Sequence, residues 1–264
     1  MVLGLDMTQL RQCIGKCALI TSRYFVTQFL IRAVLYYIFL QSERLDSAVR
    51  EISPSEAWRY SRPMTPSYIS SRALWTVVYA VPPATLLPRL LQTGDWLELR
   101  QAALASSLSL LAAGLTTNVL KAAVGRPRPD FLSRCHGAVR PPPLGRPCSG
   151  EPSVVAEGRR SFPSGHSALC SCLAVFASLF WAARARRPLS ATSRALLALA
   201  PAAAALVAVS RVADCHHHWE DVTVGYALGA LAALAGYRCY FPAVLGPAAA
   251  VPLPPPDQGT LERL

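Results

Sequence analysis

Charge is scarce in this 264-residue chain, in which Asp, Glu, Lys and Arg make up 16% of the residues, against roughly 25% in a typical soluble domain. Beside 52% hydrophobic residues and a mean hydropathy of +0.31, that shortage excludes an ordinary water-soluble globule. It equally excludes a disordered chain, which lacks apolar residues to bury. Lysine is nearly missing, since of 26 basic residues only Lys16 and Lys121 are lysines. The eight cysteines contain no C-x-x-C pair and are too few for a disulfide scaffold. No unbroken apolar run followed by a small-residue cleavage site opens the chain, so the first apolar span is expected to act as an uncleaved anchor. Internal repeats, zinc-finger and RNA-binding signatures, and basic runs interleaved with aromatics are all missing, which argues against a nucleic-acid partner.

What is present is a series of apolar stretches, punctuated by loops rich in arginine and in the chain's 22 prolines. Six stretches approach the length of about 20 residues that a helix needs to cross a bilayer. They are 24–40, 73–91, 99–120, 167–183, 195–209 and 222–241. The first contains Arg32, which must snorkel or face the bundle, and the second is interrupted by Pro82, Pro83 and Pro88. The expected fold is all-α, a six-transmembrane-helix bundle with the active site at one membrane face. Residues 1–23 form a cytoplasmic leading segment, 24–241 the membrane domain, and 242–264 a disordered Pro-rich cytoplasmic tail.

With six spans both termini share a side, and the loops fall into two sets. Arg184, Arg186, Arg187 and Arg194, with Arg11, Lys16 and Arg23, place the termini and the 184–194 loop in the cytoplasm. The opposite set breaks that rule, because residues 121–160 carry eight basic side chains against three acidic ones, a net +5 out of +11. Charge on the wrong side requires a functional reason. Cys135 and Cys148 bracket a Pro-rich part of the same loop, and a disulfide is expected there if it faces an oxidising lumen.

Three polar clusters stand in the loops of that side. Lys121 and Arg128 are seven residues apart at the end of the third span, with Pro127 and Pro129 forcing the chain into extended form, so that two cations can converge on one anion. Taken alone, this also fits a basic flank that anchors a helix end. Ser161-Phe-Pro-Ser-Gly-His-Ser precedes the fourth span. There Ser164 is a natural N-cap, Gly165 permits close approach, and the free N–H groups of the helix make an anion site beside His166. Ordinary capping with an incidental histidine is the plainer reading of that stretch. Between the fifth and sixth spans, His217 and Asp221 are four residues apart, so on a helix the carboxylate can hold one ring nitrogen and leave the other nucleophilic. The run His216-His217-His218 lacks zinc-ligand spacing, because consecutive helical side chains point about 100° apart. No metal is expected, and His216 and His218 read as interfacial histidines beside Trp219.

Together, K-x6-RP at Lys121–Pro129, PSGH at Pro163–His166 and SR-x5-H-x3-D at Ser210–Asp221 resemble the type 2 phosphatidic acid phosphatase superfamily, the lipid phosphate phosphatases. All three motifs match, and the resemblance runs from about the first span to the sixth. The strings PSEAWRYSRP, VGRPRPDF, EGRRSFPSGHS and HHWEDV look most like the branch of phospholipid phosphatases four and five, similar to diacylglycerol pyrophosphate phosphatases. The first twenty or so residues and the tail match nothing.

The resemblance implies His217 as the nucleophile that forms a phosphohistidine, with Asp221 orienting it. His166 is implied as the acid and then the base. Lys121, Arg128, Arg211, Ser164 and Gly165 would hold the phosphoryl oxygens without a metal or other cofactor. It implies a multi-pass protein of the endoplasmic reticulum, Golgi or plasma membrane, whose partners are the bilayer and a lipid phosphate such as phosphatidate, lysophosphatidate or diacylglycerol pyrophosphate. Polyprenyl or dolichyl diphosphates, sphingoid phosphates, and a non-catalytic lipid binder or transporter are the alternatives. The site here faces the lumen or the cell exterior.

Overall fold

The computed structural model describes residues 7–137, 145–185, 188–246 and 248–254. Among them all regular structure is helical. In chain order α1 is Met7–Ser42, α2 Ser71–Thr93, α3 Trp96–Val124, α4 Phe131–His136, α5 Pro152–Gly158, α6 Gly165–Arg184, α7 Ala191–Ala213 and α8 Trp219–Arg238, with a 3-10 helix at Pro54–Tyr60 between α1 and α2.

Five helices among the described residues are long and apolar enough to cross a membrane: Arg23–Ser42 within α1, and α2, α3, α6 and α7. The expected sixth span is a helix of the right length, α8, with 20 residues. It is not among the five, and its first turn carries Glu220 and Asp221. The six-span count therefore stands at five by apolarity. α6 is the centre of the bundle, packing most extensively on α8, then on α7 and α3, while α1 and α2 lie against α3. α8 can press onto the start of α6 because residue 225 is glycine, where an added Cβ would stand 2.5 Å from the Ser164 carbonyl oxygen.

Polar groups inside the apolar helices find partners there. Arg32 faces the bundle: its guanidinium donates to Ser107 Oγ at 3.2 Å, Gln28 Oε1 at 2.7 Å and the Leu104 carbonyl at 2.9 Å, and also meets the Tyr240 hydroxyl. The three prolines of α2 lie within a continuous helix. In α7, Pro201 has no N–H to give the Leu197 carbonyl, and Ser178 of α6 donates to that oxygen instead, at 2.8 Å. At the end of the bundle where α2 and α6 finish, the buried Glu98 pairs with Arg184 at 2.5 Å and Arg89 at 3.1 Å.

Composition suggests a disordered tail from residue 242, but the chain through Leu253 packs back on the bundle. Ala249 is buried, its carbonyl accepts from the Tyr237 hydroxyl at 3.3 Å, and the Leu253 carbonyl accepts from Gln101 Nε2 at 3.3 Å. Its backbone oxygens dock it, and a Pro-rich composition does not reveal that. Residues 1–6, 247 and 255–264 of the expected terminal segments lie outside the described residues.

At the opposite end the connections build a small second core. Tyr60, Phe131, Leu132 and Cys135 pack together with Ile52, Ala57 and Val155. Cys135 and Cys148 are disulfide-bonded with Cα atoms 4.5 Å apart, tying α4 to the approach to α5. Residues 138–144, inside that disulfide loop, lie outside the described residues.

Candidate active site

Where α3 and α7 end and α6 and α8 begin, a cavity of about 550 Å³ collects Lys121, Arg128, Gly165, His166, Arg211 and His217. The path of the chain explains the meeting. Gly125 caps α3 in the left-handed region (φ 58°), and its N–H donates to the Lys121 carbonyl at 3.1 Å. A Cβ there would stand 1.8 Å from the Ala48 carbonyl oxygen, so only glycine can turn the chain at this point. Beyond the turn, Arg128 N donates to the Gly158 carbonyl at 2.8 Å and Ser161 N to the Arg126 carbonyl at 3.0 Å. The first motif is thus laid beside the second. Ser164 N donates to the Asp221 carbonyl at 2.9 Å, which joins the second to the third.

His217 is held by a backbone oxygen. Its Nδ1 lies 2.7 Å from the Ser161 carbonyl and 3.9 Å from the nearer oxygen of Asp221. A carbonyl only accepts, so Nδ1 carries the proton and Nε2 the lone pair. Burial pushes the ring well below the usual imidazole pKa, and the charges of Arg128, Lys121 and Arg211 push it further, so it is neutral at neutral pH. The direct bond from Asp221 to His217 expected from their spacing is not made.

Asp221 is fully buried and does not line the cavity. Its carboxylate accepts from Ser161 Oγ at 2.6 Å, from Arg126 at 2.6 Å and from the His218 backbone N–H at 2.9 Å. Asp221 is thus linked to His217 through Ser161, whose hydroxyl it holds and whose carbonyl bonds the ring. Ser164 likewise stands behind the cavity wall, fully buried, with its Oγ accepting from Ser167 N at 3.4 Å as the N-cap of α6. Gly165 does line the cavity, and the Lys121 ammonium stands 3.6 Å from where a Cβ at Gly165 would be.

The other cations are fixed from behind. Arg211 donates to Asp214 at 2.7 Å and to the Ile69 carbonyl at 3.0 Å, and meets Ser67 Oγ. Arg128 pairs with Glu157. Nε of both arginines and Nε2 of His166 are buried and have no hydrogen-bond partner among the described residues, while the Ser70 backbone bonds the His166 ring. The unpaired Nε–H groups of the two arginines beside one cavity are donors suited to an anion.

His216 and His218 both turn inward to polar partners. His216 lines the cavity and bonds the Asp214 carbonyl at 2.9 Å, while His218 bonds Asp221 at 3.2 Å and packs edge-on against Tyr60. Among the described residues no group of three His, Cys, Asp or Glu side chains is placed to hold a metal ion. Ser161, Arg126 and Asp214 hold the motif residues Asp221 and Arg211, and motif spacing does not single them out. Arg134, Arg160 and Glu157 also line the cavity, and their only sequence signal is membership of the basic loop.

The PAP2 superfamily model matches residues 102–244, which include all three motifs. Lipid phosphate phosphatase 2 of Arabidopsis thaliana is 30% identical over 228 residues, covering 84% of this chain and 79% of the relative. A probable diacylglycerol pyrophosphate phosphatase 1 of Schizosaccharomyces pombe is 37% identical over 143 residues, 51% of each chain. Phospholipid phosphatase 1 of Rattus norvegicus is 33% identical over 129 residues, covering 45% of this chain and 44% of the relative. No solved structure matches. With the matched model reaching over more than half of the chain and across every motif that builds the cavity, the protein belongs to the PAP2 superfamily.

Proposed function

We propose that the protein is an integral-membrane lipid phosphate phosphatase that hydrolyses phosphate esters such as phosphatidate, lysophosphatidate or diacylglycerol pyrophosphate through a phosphohistidine. The observation that carries this reading is the neutral, buried His217 with Nε2 as its lone-pair nitrogen, in one cavity with Lys121, Arg128 and Arg211. His217 Nε2 attacks phosphorus, an N–P bond forms, and the bond from phosphorus to the leaving oxygen breaks with its electron pair on that oxygen. His166, which takes up a proton as the phosphate dianion enters among the cations, gives it to the leaving oxygen, the lipid alkoxide of a monoester. It then accepts a proton from water, whose oxygen attacks phosphorus and returns the N–P pair to His217, so that inorganic phosphate is released. The three cations stabilise the charge spread over the phosphoryl oxygens, the electrostatic work that dominates phosphoryl transfer.

A lipid is favoured because an apolar groove of about 740 Å³ between α1, α2 and α3 shares Phe39, Trp75 and Leu169 with the polar cavity. An acyl chain in the groove would leave its phosphate among the cations. The reading includes α8 as a sixth span, both termini in the cytoplasm and the cavity on the luminal or extracellular side. The Cys135–Cys148 disulfide supports that side, since such bonds persist in oxidising compartments. Arg184 and Arg194 at the other end agree with it.

Phosphate release from a panel of lipid phosphates in detergent micelles containing EDTA tests the reading. Turnover that survives EDTA and is blocked by vanadate, whose geometry resembles the transition state, is the expected result. Lipid binding without phosphate release would favour the non-catalytic binder, and restoration by magnesium after chelation would contradict the metal-free route.

A further inference from the structure

Glu157 is a carboxylate inside a cavity otherwise suited to anions. It lines the cavity with Arg128 and Arg160, pairs with Arg128, and stands 3.8 Å from Arg160 Nε. The pair is built by the backbone: Arg128 N donates to the Gly158 carbonyl at 2.8 Å, and Arg160 N to the Glu157 carbonyl at 3.2 Å. Arg160 is itself anchored, its guanidinium donating to the Leu45 carbonyl at 2.8 Å. The two partners differ in exposure, with the Arg128 side chain 8% exposed and that of Glu157 49%. Arg128 is thus fixed, while Glu157 has room to leave it.

A carboxylate and a phosphate compete for the same donors, because a guanidinium presents a fork that fits either pair of oxygens. We propose that Glu157 is an internal competitor of the phosphate group: it occupies Arg128, lipid phosphate binds by exchange with it, and its return to Arg128 helps inorganic phosphate to leave. The proposal rests on the reading of this cavity as a phosphate site. A dianion displaces a monoanion readily because Lys121 and Arg211 also face it. The displaced carboxylate keeps Arg160 as a neighbour. After hydrolysis the same exchange runs backwards, and product affinity is lowered by the fraction of Arg128 that Glu157 holds.

The test titrates inorganic phosphate, and separately orthovanadate, into the purified full chain in detergent, with binding read by calorimetry and by the shift in Tm. Glu157→Gln is expected to bind both anions about two- to fivefold more tightly, the range set by a partly exposed ion pair. Product inhibition of lipid phosphate hydrolysis should deepen by the same factor. Glu157→Asp keeps the charge but withdraws it from Arg128 by one methylene, so it too should bind phosphate more tightly, which a general field effect would not produce. Should the Gln variant fail to fold, the Asp variant decides alone. Phosphate affinity unchanged or weakened in these variants would overturn the proposal, as would a wild-type protein that binds neither anion. If binding tightens as expected but no lipid phosphate is hydrolysed, the phosphatase reading falls and the competitor role stands; hydrolysis without tightening has the opposite meaning.

Discussion

His217 Nδ1 lies 2.7 Å from the carbonyl oxygen of Ser161, and this bond sets the tautomer of the ring. The carboxylate of Asp221 is one step removed, bonded to the Ser161 hydroxyl at 2.6 Å. Orientation of the histidine therefore runs through a loop backbone that Asp221 holds in place.

Two substitutions separate the parts of that relay. Ser161→Ala keeps the carbonyl and loses only the hydroxyl bond, and kcat is expected to stay within about tenfold of wild type. Asp221→Asn removes the charge that pairs with Arg126 at 2.6 Å. Losing one partner of a buried pair costs about 3–5 kcal/mol, so Tm should drop together with kcat. Equal losses of kcat in the two variants would assign orientation to the hydroxyl and contradict the backbone route.

The depressed pKa of His217 has a signed consequence. Protonated His217 cannot attack, and because burial and then Arg128, Lys121 and Arg211 disfavour its protonation, the ring stays neutral as pH falls through the ordinary imidazole range near about 6.5. The acidic limb of kcat/KM from this group should lie below that pH. Arg128→Gln removes a positive neighbour, raises the pKa and moves the limb to higher pH, beside the activity it costs. A limb that stays in place or moves lower in this variant contradicts the electrostatic account.

Removing the disulfide should loosen the small core above the cavity. Cys135→Ser with Cys148→Ser opens a loop with a sequence separation of 13, and loop-closure arguments place the loss at about 3 kcal/mol or less. A lower Tm is expected, and in the wild-type protein neither thiol should react with a maleimide before reduction. Labelling of both without reductant contradicts the bond.

Orientation is open to glycosylation mapping. An Asn-x-Ser acceptor made by Gly145→Asn with Pro147→Ser should be modified in microsomes, and one made by Leu189→Asn with Ala191→Ser should not. The reverse pattern would move the cavity to the cytosol.

Much of the site was legible because its chemistry is carried by side chains with characteristic spacing. Motif order singles out Lys121, Arg128, Gly165, His166, Arg211 and His217, and the structure brings them to one cavity. Arg32 was expected to snorkel or face the bundle, and it faces it. What escaped was held by backbone atoms or hidden by arithmetic. The Ser161 carbonyl belongs to no residue type, so spacing pointed to Asp221 as the partner of His217. Glu157 disappeared into the net charge of its loop, although its position opposite Arg128 matters more than the sum. Residues 222–241 read as a sixth apolar span, but α8 is not among the five helices apolar enough to cross a membrane, and its first turn carries Glu220 and Asp221.

The most direct test of the central claim is rapid acid-free quenching of the enzyme with a lipid phosphate labelled on phosphorus, followed by location of the label on the chain. The account predicts an acid-labile, base-stable phosphoenzyme on His217, absent in His217→Ala, with turnover in that variant reduced by several orders of magnitude. A labelled phosphoenzyme that persists in His217→Ala, or more than about a tenth of wild-type activity there, would contradict it.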